Sequence, residues 1–387
     1  MSFELPGGFT AHIANVGIRD TTDDFVVVAS ERPCTSAAVF TRSRFAGPSV
    51  VLSRRHAAAG DLQVVAVVSK NANVATGPQG AADAAELADG VASALGVRRE
   101  QVLVASTGVI GRPYPMDRVR HGLTGLVAPL PGRDALAAAR GIMTTDTVPK
   151  VARASCGAGG AATVVGIAKG VGMIEPDMAT MLAFVFTDAA VSAPDLDRLF
   201  RRVVERTFNS LSVDTDTSTS DTAAILANGA AGPVDADDLE AAVGAVCLDL
   251  TRKLARDGEG ATKLLTVTVS EARDDAQARR VAKAILNSPL VKTAVHGADP
   301  NWGRVAMAVG KCADDTDIDE ERVTIRFGDQ ELYPVAVDES GLARLEDYLR
   351  GDEVHIGVSL GISTGTWTVY GCDLSDGYIR INADYTT

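Results

Sequence analysis

The residues that usually carry enzyme chemistry do not form a familiar catalytic group in this sequence. The five histidines lie in dissimilar contexts, and none belongs to an evident Ser/His/Asp or Cys/His triad. Only His296, just before the polar segment 299–304, is kept as a reserve candidate. Gly170-Val171-Gly172 lacks the third glycine of a dinucleotide fingerprint, and no Gly-x-x-x-x-Gly-Lys-Ser/Thr phosphate loop occurs.

We expect no metal site either. The polar run at residues 214–222 could suggest a calcium loop, but Thr219 and Ile225 stand where such a loop needs glycine and an acid. The cysteines are scattered and odd in number, which argues against both a zinc site and a disulfide framework. They are Cys34, Cys156, Cys247, Cys312 and Cys372.

A threonine can act as a nucleophile without any of these groups if the peptide bond before it is cut. Its own α-amino group then takes the hydroxyl proton, and the reference pKa of about 8 suits that role near neutral pH. Thr180 follows an irregular segment with Gly170, Gly172 and Pro176, where backbone strain could accumulate. From the residues alone, other threonines qualify equally, and Thr180 could simply open a β-strand.

Composition describes an ordinary globular protein. The chain has 387 residues, 46% hydrophobic and 22% charged, enough for one large domain or two. A net charge of −13 without basic clusters argues against a nucleic-acid partner. The N-terminus lacks a signal-peptide pattern, and no uninterrupted apolar stretch approaches the ~18 residues of a membrane span. Together with the unpaired cysteines, this predicts a cytoplasmic protein without a membrane partner.

The apolar spacing predicts strands and helices without regular βαβ alternation, and therefore layered α+β packing. The predicted strands are Phe25–Ala29, Ser49–Leu52, Val64–Val68, Gln101–Ala105, Ala162–Ile167, Ala183–Thr187, Leu264–Val269, Val323–Phe327, Val354–Leu360, Trp367–Gly371 and Tyr378–Ala383. The predicted helices are Ala81–Leu95, Met116–Val127, Asp134–Met143, Pro194–Phe208, Asp237–Ala255 and Asp274–Leu286, with another starting at Asp221 after the polar run.

Residues 169–182, Lys-Gly-Val-Gly-Met-Ile-Glu-Pro-Asp-Met-Ala-Thr-Met-Leu, resemble the signature of the ornithine acetyltransferase family. Further blocks match in order at residues 38–41, 71–73, 106–111, 143–147, 257–260 and 299–304. The resemblance implies two domains with β-sheets sandwiched by helices, and a mechanism similar to that of N-terminal-nucleophile hydrolases on a different topology. It also implies self-cleavage between Ala179 and Thr180, giving an α fragment of residues 1–179 and a β fragment of residues 180–387.

The same resemblance implies roles for individual residues. Thr180 would be the nucleophile, and Thr107 with Gly108 the oxyanion hole. Lys169 would offer a cation to a substrate carboxylate, while Glu259 could hold an ammonium group. The full set of implied substrate contacts is Thr144 or Thr145, Lys169, Thr180, Glu259, Asn382 and Thr387.

The implied reaction moves an acetyl group from N2-acetyl-L-ornithine to L-glutamate in arginine biosynthesis, without a cofactor. Some family members also accept acetyl-CoA, and the fragments would pair as an α2β2 assembly. Around Asn71, and at Ser220 where Asn is common, the sequence departs from the family pattern, which would suit a specialised pathway. Two alternatives stay open: an amidase or aminopeptidase that uses water as acceptor, and an inactive relative that serves as a binding subunit.

Overall fold

The computed structural model describes residues 3–175 and 181–384. The strands β1 to β14 in these ranges are Phe9–Ala14, Phe25–Ser30, Thr35–Phe40, Val64–Val68, Val102–Ser106, Lys150–Cys156, Ala162–Lys169, Leu182–Ala190, Thr222–Pro233, Leu264–Ala272, Thr324–Phe327, Gln330–Tyr333, Glu353–Ser359 and Gly365–Cys372. The helices α1 to α11 are Pro48–His56, Gly77–Leu95, Met116–Leu123, Ala135–Gly141, Ala193–Arg206, Ala236–Arg256, Asp275–Leu286, Pro289–His296, Trp302–Gly310, Glu339–Leu349 and Asp376–Asp384. Within the same ranges, no helix combines the length and apolar character needed to cross a membrane.

Two sheets stack face to face in the first two thirds of the chain. One has the strand order β1-β2-β4-β5, and the other has the order β3-β9-β8-β7-β6. Apolar side chains from both sheets, joined by alanines of α4, form a shared core between them. The rings of Phe9 and Phe186 meet across this core, with centroids 5.3 Å apart.

Helices cover the outer face of each of these two sheets. α2 and α3 pack on the first sheet, and α5 and α6 pack on the second, each closing a further apolar core. The order of layers is therefore helix, sheet, sheet, helix. This confirms the α+β class and the expectation of sheets sandwiched by helices.

A third sheet, with the order β12-β11-β13-β10-β14, forms a separate region from residue 264 to 372. Its apolar side chains and those of α7 to α10 form a core of their own. This region joins the layered part through α6 and through a bridge between Leu211 and Tyr370. The third sheet thus supports the loop that leads into α11.

Strand β8 shows why the second sheet is buried on both faces. Leu182, Phe184 and Phe186 point into the core between the sheets, whereas Ala183 and Val185 point towards α5 and α6. Successive side chains of a strand alternate between faces, so an uninterrupted apolar run serves both cores. β8 pairs antiparallel with β7, which sets Lys169 opposite Leu182.

Three sequence predictions were wrong. Residues 49–52 lie in α1. The fixed φ of Pro48 suits the first turn of a helix, and this preference prevails over the strand propensity of two β-branched residues. No helix starts at Asp221; residues 222–233 form β9, a strand held between β3 and β8. Residues 378–383 lie in α11 rather than in a strand, with the side chains of Ile379 and Ile381 exposed.

Candidate active site

A cavity of about 120 Å³ lies where the ends of several strands meet. Thr107 and Gly108 follow the end of β5, Lys169 ends β7, and Leu182 begins β8. A loop after α6 and the last turns of α11 complete the wall. The cavity is therefore built largely on strand ends, where short loops can display polar groups on a rigid frame.

The structure brings together most of the residues that the sequence predicts for the site. Those that line the cavity are Thr107, Gly108, Thr144, Thr145, Lys169, Glu259 and Asn382. Ala179, Thr180 and Thr387 lie outside the described residues. Met181, which is covalently bonded to Thr180, is 4% exposed and lines the same cavity.

The turn at Thr107 and Gly108 is fixed from behind by close backbone packing. The Thr107 N–H donates to the carbonyl of Val68 at 3.2 Å, so this amide is engaged inside the fold. Gly108 has a φ of +128°, and a Cβ there would stand 2.3 Å from the backbone carbonyl carbon of Lys70. Only glycine fits this position, because any side chain would collide with the backbone. The turn can thus present the Thr107 hydroxyl and the Gly108 backbone to the cavity.

Lys169 supplies a buried cation. Its side-chain Nζ lies 3.3 Å from Oγ1 of Thr107 and 3.9 Å from Oδ2 of Asp146. Burial lowers the pKa of Lys169 below its usual value, and nearby carboxylates, Asp146 first among them, oppose that shift. The charge of this lysine therefore depends on its neighbours.

Asp146 and Lys150, which the sequence analysis did not single out, lie directly behind Lys169. Lys150 Nζ contacts Oδ1 of Asp146 at 2.7 Å and Oδ2 of Asp257 at 2.6 Å. Burial opposes the ionisation of Asp146, but the charges of Lys169 and Lys150 and the hydrogen bonds from Lys150 and the Gly170 N–H prevail, so the pKa of Asp146 is lowered. The only sequence signal for this cluster was the presence of both aspartates in family-like blocks.

Glu259 supplies a carboxylate, and its loop is hydrogen-bonded to the segment that follows β7. The Glu259 N–H donates to the carbonyl of Val171 at 2.8 Å. Its side-chain oxygens accept hydrogen bonds from Thr145 Oγ1 at 3.4 Å and from Asn382 Nδ2 at 2.9 Å. A Cβ at position 172 would stand 2.4 Å from Glu259 Oε2, so a side chain there would force the Glu259 carboxylate to move.

His296, the reserve candidate, belongs to a different cluster. Its Nδ1 lies 2.7 Å from Oδ2 of Asp373. The other oxygen of Asp373 accepts hydrogen bonds from the N–H groups of Thr262 and Lys263, at 2.8 and 2.9 Å. This pair fixes the chain just before α11, and His296 is absent from the described lining of the cavity.

A cavity with a buried cation and a carboxylate suits a small zwitterion. Lysine can receive a ligand carboxylate, and a carboxylate can receive an ammonium group. The hydroxyl and backbone groups at the end of β5 offer hydrogen bonds to a carbonyl oxygen that gains negative charge. The arrangement therefore favours chemistry at a carbonyl group attached to an amino acid.

Comparison with known proteins gives consistent matches over nearly the whole chain. A model described as the ArgJ family matches residues 10–387. Glutamate N-acetyltransferase Oat2 of Streptomyces clavuligerus is 58% identical, covering 99% of this chain and 98% of that protein. The arginine biosynthesis bifunctional protein ArgJ 2 of a Nostoc species is 55% identical, with coverage of 99% and 98%.

The fold has a match among solved structures. The crystal structure of the arginine biosynthesis bifunctional protein argJ from Bacillus halodurans matches with a TM-score of 0.50 and 38% sequence identity. The match covers 53% of this chain and 100% of that chain.

Proposed function

The chain belongs to the ArgJ family and is an acyltransferase, and we propose that it transfers an acetyl group from N2-acetyl-L-ornithine to L-glutamate. The observation that carries this proposal is the composition of the cavity. Met181, bonded to Thr180, lines it together with Thr107, Lys169 and Glu259. A nucleophile at position 180 would thus adjoin an oxyanion-binding turn, a cation and a carboxylate.

The proposed mechanism starts with cleavage of the bond between Ala179 and Thr180. The new α-amino group of Thr180 takes the proton of its own hydroxyl, and the oxygen attacks the acetyl carbonyl. The C–N bond to ornithine breaks, and the departing nitrogen receives that proton. The amino group of glutamate then attacks the acetyl ester, giving N-acetyl-L-glutamate and restoring the Thr180 hydroxyl.

The groups around the cavity divide the remaining tasks. Thr107 and Gly108 stabilise the negative oxygen of each tetrahedral intermediate, where one such donor typically contributes ~3–4 kcal/mol. Lys169 binds the α-carboxylate that both amino acids carry. In N2-acetyl-L-ornithine the α-nitrogen is acylated, so the remaining ammonium is the distal one, and Glu259 binds it.

Other residues and the environment complete the proposal. Thr144 or Thr145, Asn382 and Thr387 make the further substrate contacts, and the reaction needs no cofactor. Four of the five cysteines are buried and all are unpaired, which suits the reducing cytoplasm.

Cleavage need not separate the two fragments. β7 precedes the cut and β8 follows it, and they pair in register from Val164 with Thr187 to Lys169 with Leu182. We therefore propose that residues 1–179 and 180–387 stay associated and assemble as α2β2, which size-exclusion chromatography with light scattering can test.

Mass spectrometry of the purified protein tests the nucleophile. We expect two fragments, the second beginning at Thr180, and one added acetyl group on Thr180 after incubation with N2-acetyl-L-ornithine. Thr180→Ala should give a single uncut chain with no detectable acetyl transfer. Turnover by that variant would contradict the mechanism, and an uncut, inactive wild-type protein would favour a binding subunit.

The acceptor is tested by leaving glutamate out. Ornithine release should depend on glutamate and should match the formation of N-acetyl-L-glutamate. Release at the same rate in buffer alone would mean that water is the acceptor and that the protein is an amidase. Replacing the acetyl donor with acetyl-CoA shows whether this second donor is accepted.

A further inference from the structure

Asp146 contacts several of the segments that carry the proposed site. Its Oδ1 accepts a hydrogen bond from the Gly170 N–H at 2.7 Å and from Lys150 Nζ at 2.7 Å. Its Oδ2 accepts from the Thr144 N–H at 3.2 Å and lies 3.9 Å from Lys169 Nζ. One fully buried carboxylate thus links the loop before β6 with the end of β7.

Lys150 extends this connection to the Glu259 loop. Its buried Nζ also contacts Asp257, whose carboxylate accepts a hydrogen bond from the Thr147 N–H at 3.1 Å. Asp257 lies two residues before Glu259 in the chain. Lys150 therefore fixes the position of the Asp146 carboxylate, while its ammonium also donates to Asp257 and to the carbonyl of Val148 at 3.3 Å.

The two carboxylate oxygens of Asp146 have different partners. Oδ1 is occupied by Lys150 and the Gly170 amide, whereas Oδ2 accepts the Thr144 N–H and faces Lys169 Nζ at 3.9 Å. We propose that Asp146 is a positioning residue that holds Lys169 in the charged form, with its ammonium facing the cavity, ready to receive the substrate carboxylate. The significance of this role for turnover rests on the proposed function.

The charges around Lys169 come from several elements. Asp146 precedes β6, Asp221 precedes β9 and Glu259 follows α6, and all three favour the ammonium form. Lys150, at the start of β6, disfavours it. Removing the charge of Asp146 would leave Lys150 as an opposed cation in a desolvated site, so the pKa of Lys169 must fall.

The pH dependence of kcat/KM for N2-acetyl-L-ornithine tests the proposal. In the wild type, the alkaline loss of kcat/KM should report deprotonation of Lys169 in the enzyme without substrate. Asp146→Asn should move this alkaline limb to lower pH by about 1–3 units, the usual effect of an opposite charge at this range. A limb that coincides with that of the wild type would overturn the proposal.

Asp257→Asn is the matched control. Like Asp146→Asn, this substitution removes a carboxylate from Lys150 and loosens the cluster. The Asp257 carboxylate, however, contacts Lys150 and the Thr147 N–H rather than Lys169. We expect the alkaline limb of Asp257→Asn at its wild-type position, even if the protein is less stable. Equal shifts in both variants would show a merely structural role and would refute the assignment.

A second readout does not require turnover. Brief labelling with isotopically marked acetic anhydride at a series of pH values, followed by peptide mass spectrometry, measures the fraction of Lys169 that is unprotonated. Lys169 should react at lower pH in Asp146→Asn than in the wild type or in Asp257→Asn. If wild-type protein transfers no acetyl group, the proposed function fails, and the labelling curves still decide the role of Asp146.

Discussion

The two charged ends of the cavity are built in different ways. The Lys169 end stands on the end of a central strand, where Lys169 is 8% exposed and the Asp146 side chain behind it is fully buried. The Glu259 end stands on a loop and on the terminal helix α11, where Glu259 is half-buried and Asn382 is exposed. One end is enclosed by fixed charges, and the other is close to solvent.

This difference suits a site that takes two unlike amino acids in turn. An uncompensated buried charge is costly, so the Lys169 end can hardly rearrange, and this rigidity suits its proposed role of binding the α-carboxylate that both substrates share. Ornithine and glutamate differ in the charge of their distal group. We expect the Glu259 end, where side chains and water can move at little cost, to accommodate that difference.

The largest effect is expected at the buried end. Lys169→Met should lower kcat/KM about 1,000-fold, or ~4 kcal/mol, because the cation is lost and Asp146 is left facing the substrate carboxylate. The loss should be similar for N2-acetyl-L-ornithine and for glutamate, measured in steady-state assays with one substrate varied. Fragment formation and thermal unfolding serve as controls for folding. A loss confined to one substrate would contradict the shared carboxylate site.

A smaller and selective effect is expected at the other end. Glu259→Gln should raise KM for N2-acetyl-L-ornithine about 30-fold, or ~2 kcal/mol, because a neutral amide binds an ammonium group less well. KM for glutamate should stay the same or fall, since a negative charge is removed near a distal carboxylate. If KM for glutamate rises in parallel, Glu259 does not act on the distal ammonium of ornithine alone, which contradicts the proposed roles of the two ends.

The smallest effect is expected in α11. Asn382→Ala removes one exposed hydrogen bond to Glu259 and should raise KM for N2-acetyl-L-ornithine about fivefold, or ~1 kcal/mol. Arg380→Ala is the control on the same helix, because it removes only a surface ion pair with Asp376. It should leave KM unchanged. An equal effect of both variants would mean that α11 acts through its own stability.

The sequence predicted the regular elements well where the apolar pattern was long. Asp237–Ala255 was predicted as a helix, and α6 runs from Ala236 to Arg256. Short segments were less reliable: residues 49–52 and 378–383 both read as strands and both lie in helices. Their apolar runs are too short to distinguish the periodicity of a helix from that of a strand. Tertiary packing or a proline determines the secondary structure there instead.

The site was predictable only in part. The family-like blocks supplied Thr107, Lys169 and Glu259, and the fold places these around one cavity. The cluster behind them was missed, because the contact of Lys150 with Asp257 joins residues 107 positions apart. No local pattern encodes such a contact, since it exists only once β6 and the end of α6 have come together.

The pairing of β7 with β8 has a consequence for how the protein could be recovered after denaturation. An uncut chain folds in a reaction that is first order in protein, because the strand partners are tethered to one another. Once the chain is cut between them, the same register must form between two molecules, and refolding becomes second order. Dilution would then slow recovery of the cut protein but not of an uncut Thr180→Ala chain.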